Sequence, residues 1–185
     1  DQGIIKMFGI SKREDKIKAL SELNIVPLSI SYEWETCDYM KALELYQSRS
    51  EKYVKKQGED LSSILSGITS FKGDVHLTFC PMITEQDLMA YDSLPGIEYN
   101  REVAKLMDRR IHAGYRLTPN NFIAHDIRFG KHEFKGDRYT DEQKDRFLHH
   151  LKKLEKYDVD EPEVLMDIFL GIYSNPVDNC FERNH

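Results

Sequence analysis

Two short apolar segments stand apart from the rest of the chain, where apolar residues mostly recur at helical spacing. Residues 25–32 (IVPLSISY) and 74–81 (DVHLTFCP) are rich in strand-forming residues and predict two strands. Residues 33–73, which connect them, have a helical pattern, and long helical connections are typical of crossovers between parallel strands. The predicted fold class is therefore α/β, with a partial parallel sheet of two strands joined by a helical crossover and followed by a helical subdomain.

The predicted strands need further neighbours. Parallel strands are normally buried on both faces, and two of them do not make a sheet alone. We therefore expect residues 1–83 to be the carboxy-terminal half of an α/β domain. The chain also opens at Asp1 without an initiating methionine, which is typical of a truncated or cleaved form.

Helix signals dominate the remainder. A capping pair, Ser11 with Glu14, predicts a helix start before the first strand, and Gly73 is expected to end the second crossover helix with positive φ. After Thr84 only helices are predicted, so residues 84–185 form the helical subdomain. Its predicted boundaries are caps at Thr84, Thr118-Pro119 and Thr140 with Gln143, a helix end at Gly114, and a last helix over about 162–173 that stops at Asn175-Pro176.

Composition narrows the function classes. The net charge of -6 and pI near 5.7 argue against nucleic-acid binding, which needs a basic excess. Cys37, Cys80 and Cys180 are far apart and show no ligand spacing, so we predict neither disulfides nor a metal or other cofactor, and a cytoplasmic location. No apolar run reaches the length of a membrane span, so any membrane contact is expected to be peripheral.

Histidines provide the first candidates for chemistry. His132 and Asp137 have the spacing of a histidine with an orienting aspartate, but they lie in a connection rich in Lys, Gly and Asp, which favours a chance occurrence over a dyad. His149 and His150 are adjacent on a helix and are expected at the surface. The pair His125-Asp126 is likewise expected on a helix surface.

Basic residues are the second group of candidates. Arg109, Arg110 and Arg116, with His112 nearby, are candidate contacts for a phosphate or for a carrier, because the guanidinium fork suits phosphate. A solvated helix face balanced by neighbouring acids explains the same residues. Lys52, Lys55 and Lys56 form a second small patch with the same two interpretations.

Three segments carry a resemblance to a known family. Residues 25–30 (IVPLSI) resemble the fourth sequence block of the glycerophospholipid acyltransferases, a valine-proline strand after a short helix. Residues 75–83 (VHLTFCPMI) resemble the downstream V-x-V-x-F-G-x-P-I strand, and residues 1–8 are similar to the segment after the third block. The family includes 1-acylglycerol-3-phosphate acyltransferase.

The chain also departs from the family pattern. Ser31 stands where many members have a second proline, and Cys80 replaces the usual glycine. The histidine-x4-aspartate, glycine-arginine and glutamate-glycine-threonine-arginine blocks are absent. If the resemblance holds, the catalytic groups lie outside these residues, so no catalytic residue is assigned and the chain alone is expected to be inactive.

The resemblance implies a function. Members transfer an acyl group from acyl carrier protein or coenzyme A to a lipid or glycerol-phosphate acceptor at the membrane surface, without a metal. Val26, Pro27 and Leu28 would line the substrate pocket, although burial in a strand requires the same residue types. The alternative function is a non-catalytic helical binding module completed by a partner or by dimerisation.

Overall fold

The structure is a computed structural model that describes residues 2–12, 14–50, 53–54 and 57–181. It is mostly helical. In chain order, its elements are α1 (Gln2–Phe8), a 3-10 turn (Gly9–Lys12), α2 (Lys16–Ser21), β1 (Leu28–Tyr32), α3 (Asp38–Gln47), α4 (Glu59–Thr69), β2 (Val75–Phe79), α5 (Glu85–Met89), α6 (Gly96–Gly114), α7 (Pro119–Arg128), α8 (Asp141–Leu151), a second 3-10 turn (Lys152–Lys156) and α9 (Pro162–Phe181).

The chain divides into two compact units. Unit 1 contains the residues through Ile30 and His76–Arg116, and unit 2 contains Ser31–Val75 and the residues from Leu117 onward. Each unit therefore takes residues from both sides of Thr84. The division into 1–83 and 84–185, which the change to helical pattern after Thr84 predicted, stays a prediction.

The strands are antiparallel, so the prediction of a parallel sheet with a helical crossover is wrong. The Cys80 amide donates to the Pro27 carbonyl at 2.9 Å, and the Glu33 amide donates to the Asp74 carbonyl at 2.9 Å. This register places Leu28 opposite Phe79 and Ile30 opposite Leu77. The long connection misled the prediction because its length rules out a tight hairpin but does not fix the direction in which the second strand runs.

The sequence also predicted strands that are buried on both faces, and this prediction is wrong. Ser29 and Ser31 are the buried positions of β1, whereas its apolar residues are exposed. The end of α6 explains the choice of small residues: a Cβ on Gly114 would lie 3.0 Å from Cys80 Sγ and 3.1 Å from the Cβ atoms of Ser29 and Thr78. Close approach of the helix backbone thus occupies the inner face of the strand pair in unit 1.

Unit 1 has its own apolar core. Asp15, and not the predicted Ser11, caps α2 by accepting from the Lys18 amide at 3.0 Å; the side chain of Ser11 lies outside the described residues. The predicted cap at Thr84 is confirmed, with Asp87 completing a capping box. The buried apolar residues of this core are Ile5, Leu20, Ile83, Leu88, Tyr99, Val103 and Ala104.

Unit 2 is built around α7 and α9, with α3 and α8 packed against them. The predicted caps at Thr118 and Thr140 are confirmed, each in a capping box. The predicted stop at Asn175-Pro176 is wrong, because α9 continues through Pro176 to Phe181. The Asn121 amide group donates to the Tyr173 carbonyl at 2.8 Å, which ties α7 to α9 one turn before the proline.

Gly73 has φ of +62° and α6 ends at Gly114, as the sequence predicted, but α4 ends at Thr69, before Gly73, so that predicted helix end is wrong. The crossover helix α4 also forms with the predicted period. Its apolar residues nevertheless point to solvent: Leu61, Ile64, Leu65 and Ile68 are all more than half exposed.

Candidate functional site

The exposed side of the strand pair is the first candidate site. We call Leu28, Ile30, Leu77 and Phe79 the outer face; their exposed fractions range from 44% to 72%. All four belong to unit 1. Scattered exposed apolar residues are ordinary, but four in register on one sheet face make a continuous apolar patch, and such patches mark interaction or ligand sites.

Both strands of this pair are edge strands, since the sheet has two strands within the described residues. A two-stranded sheet gains little stability in water without a third strand or a packed helix. Within the described residues of unit 1, the end of α6 lies against the inner face, while the residues of the outer face are exposed.

The predicted pocket residues lie where the chain enters this pair. Pro27 is buried, whereas Val26 and Leu28 are 43% and 48% exposed. The Pro27 carbonyl accepts the Cys80 amide, so the valine-proline step is tied to the end of β2. Leu28 lies on the outer face, and Val26 is two residues before it.

Two of the predicted phosphate contacts, Arg109 and Arg110, have different partners within the described residues. Arg110 donates to the carbonyls of Pro81 and Met82 and to Asp87 Oδ2, the last at 2.7 Å. It therefore fastens the exit of β2 to α5. Arg109, by contrast, is exposed and donates to the Tyr91 hydroxyl at 3.0 Å.

The contact between Arg110 and Asp87 affects the pKa of the Asp87 carboxyl. Burial raises the pKa of its carboxyl, but hydrogen bonds from Thr84 and the Arg110 guanidinium outweigh that effect and hold the pKa below its ordinary value. The carboxylate is thus stabilised in its charged form.

Arg116 follows the end of α6 and is exposed. The second basic patch, Lys52, Lys55 and Lys56, lies outside the described residues.

The His132/Asp137 pair is not assembled into a dyad within the described residues. Both side chains are exposed, and Asp137 pairs with Arg138 at 3.0 Å. The connection that contains them is fixed by Asp126, whose carboxylate accepts hydrogen bonds from the backbone amides of Glu133 and Phe134.

His125 and Asp126, predicted on a helix surface, are buried in unit 2. Asp126 Oδ2 accepts from the Tyr139 hydroxyl at 2.7 Å, and His125 Nε2 lies 3.3 Å from Asp178 Oδ1. The interpretation as a surface pair was wrong because Asp126 anchors the following loop and the His125 ring packs against Phe129 and Phe134.

A polar network that the sequence did not reveal lies in unit 2. Asp38 lies at the start of α3 and is 3% exposed. Its carboxylate accepts hydrogen bonds from the Tyr39 amide at 2.8 Å and from the Tyr173 hydroxyl at 2.7 Å. His150 Nε2 lies 2.6 Å from the same carboxylate. Burial and the neighbouring Asp38 carboxylate raise the pKa of Tyr173 far above its ordinary value. The phenol therefore stays protonated and donates.

This network forms the floor of a cavity of about 510 Å³, which we call the Trp34 pocket. Trp34, Tyr39, Phe71, Arg146, His149 and Lys153 are among the residues that line it. All belong to unit 2. Within the described residues, no serine or cysteine side chain hydrogen-bonds to His150.

The sequence alone did not indicate the Trp34 pocket. His149 and His150 were expected at the surface, which holds for His149 but not for His150, which is partly buried against Asp38. The two partners are 112 residues apart in sequence. Only the fold brings them together.

The described residues were also considered as metal ligands and as membrane-spanning helices, and they form neither. Within the described part of the chain, no group of three or more His, Cys, Asp or Glu side chains is arranged to hold a metal ion. None of the helices described here combines the length and the apolar content that crossing a bilayer requires.

The chain was compared with known proteins in three ways. No protein-family model, no curated protein and no solved structure matches it.

Proposed function

We propose that this chain is part of an acyltransferase that moves a fatty acyl group from acyl carrier protein or coenzyme A to a lipid or glycerol-phosphate-type acceptor. The outer face carries the proposal. A strand pair that presents large apolar residues to water, with its inner face already covered by α6, has the pattern of a layer that is completed by other elements.

The position of the valine-proline step supports the same proposal. Val26 and Leu28 are exposed at the entrance to this apolar face, where they can contact an acyl chain or the covering elements. In this proposal the chain supplies pocket walls and a helical subdomain, and residues encoded upstream of Asp1 supply the catalytic base and the phosphate-binding groups. Such a protein would work in the cytoplasm, at the inner face of the membrane as a peripheral protein.

The test is an assay of acyl transfer from a thioester by this chain and by a longer form that restores the upstream residues. We expect transfer only by the longer form. In that form, Leu28→Asn should lower the rate or change the preferred acyl length, while Leu61→Asn, a matched change at an exposed leucine of α4, should not. Absence of transfer from both forms with either thioester donor would overturn the proposal.

The second candidate function is a non-catalytic binding module. The apolar side of α4 favours it, since Leu61, Ile64, Leu65 and Ile68 are more than half exposed and amphipathic helices commonly dock through such a side. The module would be completed by a partner or by a second copy. Sedimentation of the longer form separates the candidates: a dimer without acyl transfer favours the module, and an active monomer favours the enzyme.

A further inference from the structure

The Trp34 pocket has an uneven charge distribution. Its two acidic side chains are already partnered: Asp38 has the three contacts described above, and Glu35 pairs with Lys41 at 3.1 Å. Among the described residues, the cations Arg146 and Lys153 and the imidazole of His149 have no hydrogen bond or ion pair. The pocket therefore presents unpaired positive charge.

These basic residues share one side of the segment that carries them. Residues 146, 149 and 153 follow the i, i+3, i+7 spacing along α8 and into the 3-10 turn after it. The acidic residues of α8 lie elsewhere: none of Asp141, Glu142 or Asp145 lines the pocket, and Asp141 pairs with Lys135 at 2.7 Å. Several cations without counter-charges on one wall form a site for an anion.

The aromatic residues of the Trp34 pocket give it an apolar surface beside the basic residues. Trp34 is half-buried and stacks on Phe147 with ring centroids 6.1 Å apart, while Phe71 is 79% exposed. Tyr39 is fixed by its hydroxyl, which donates to the His150 carbonyl at 2.7 Å. Fixed, partly exposed rings offer a flat apolar surface at low entropic cost.

We propose that the Trp34 pocket binds a phosphomonoester that carries a planar apolar group, with the phosphate on Arg146, His149 and Lys153 and the planar group against Trp34 and Phe71. The cavity volume of about 510 Å³ lies within the range of small-molecule sites. The proposal is independent of acyl transfer.

The pocket contains its own reporter, because Trp34 is the single tryptophan of the chain. Titration of the 185-residue chain with AMP, adenosine and inorganic phosphate, followed by tryptophan fluorescence, separates the two halves of the site. We expect saturable binding of AMP, and binding at least about tenfold weaker for adenosine, which lacks the phosphate, and for inorganic phosphate, which lacks the ring.

A charge-matched pair of variants supplies the control. The double variant Arg146→Ala/Lys153→Ala should weaken AMP binding about tenfold or more, because it removes two charge-assisted donors. The variant Lys144→Ala/Lys152→Ala changes net charge equally but alters residues that do not line the pocket, and it should bind AMP as the unchanged chain does.

Three outcomes would overturn the proposal. They are the absence of saturable AMP binding by fluorescence and by calorimetry, equal weakening in both double variants, and inorganic phosphate that binds as tightly as AMP. Circular dichroism of each variant shows whether it is folded, and the single variant Arg146→Ala, with Lys144→Ala as its control, replaces the double variants if either of them unfolds. Failure of this site leaves the acyltransferase proposal untouched, since the two are tested by different assays.

Discussion

Removal of the Asp38 carboxylate is the sharpest test of the network in unit 2. Asp38→Ala deletes the acceptor for the Tyr39 amide, the Tyr173 hydroxyl and His150 Nε2. Tyr173 is 2% exposed, so its hydroxyl would be left buried without this acceptor. The substitution therefore removes hydrogen bonds and also creates unsatisfied donors.

The size of the effect follows from these contacts. A net hydrogen bond contributes about 1 kcal/mol, and a buried polar group without a partner costs about 1–3 kcal/mol. We expect Asp38→Ala, which removes three such contacts, to lower the free energy of unfolding of unit 2 by about 3–4 kcal/mol, and Asp38→Asn, which keeps one carbonyl acceptor, by about half as much.

The assay is urea unfolding at neutral pH, followed by the fluorescence of Trp34, whose ring centroid lies 4.9 Å from that of His150. Tryptophan emission therefore reports unit 2. Asp158→Ala, a change at an exposed aspartate, is the control and should shift the free energy by less than about 0.5 kcal/mol. A loss below about 1 kcal/mol for Asp38→Ala, or a loss equal to the control's, would refute the assignment of Asp38 as the centre of the network.

Three further predictions concern unit 1. Gly114→Ala should destabilise the chain by about 1–2 kcal/mol in thermal or urea unfolding, because its Cβ would press on Ser29, Thr78 and Cys80; unchanged stability would mean that α6 does not lie so close. Phe79→Thr should change the stability of this chain by less than about 0.5 kcal/mol but should destabilise a longer form by about 2–4 kcal/mol, since burying most of a phenylalanine side chain contributes on that scale. Asp87→Ala should lose about 1 kcal/mol at neutral pH, and the difference from the unchanged chain should shrink in acid: the folded pKa of Asp87 is depressed, so its contribution is lost as pH falls through that pKa. A pH-independent difference in unfolding free energy would contradict the last point.

Local signals in the sequence predicted local structure well. The strand segments, the caps at Thr84, Thr118 and Thr140 and the positive φ of Gly73 all follow from residue preferences over three to eight positions, and all are present. Such features are decided by neighbours along the chain. They needed no knowledge of the fold.

Features set by distant residues were missed. Strand direction depends on where the intervening helices pack, which the length of the connection does not reveal. The His150–Asp38 contact and the burial of His125 and Asp126 depend on partners from other elements. The apolar period of α4 indicated a helix correctly, but periodicity alone does not say whether the apolar side is covered in this chain.

Hydroxyl-radical footprinting of Phe79 tests the central proposal, that elements outside these 185 residues cover the outer face. Phe79 is 72% exposed in this chain, and Phe129, 48% exposed in unit 2, serves as the internal reference. We expect Phe79 to oxidise at least as fast as Phe129 in the 185-residue chain and several-fold more slowly than Phe129 in a form extended upstream of Asp1. An unchanged ratio of the two rates in both forms would contradict the claim.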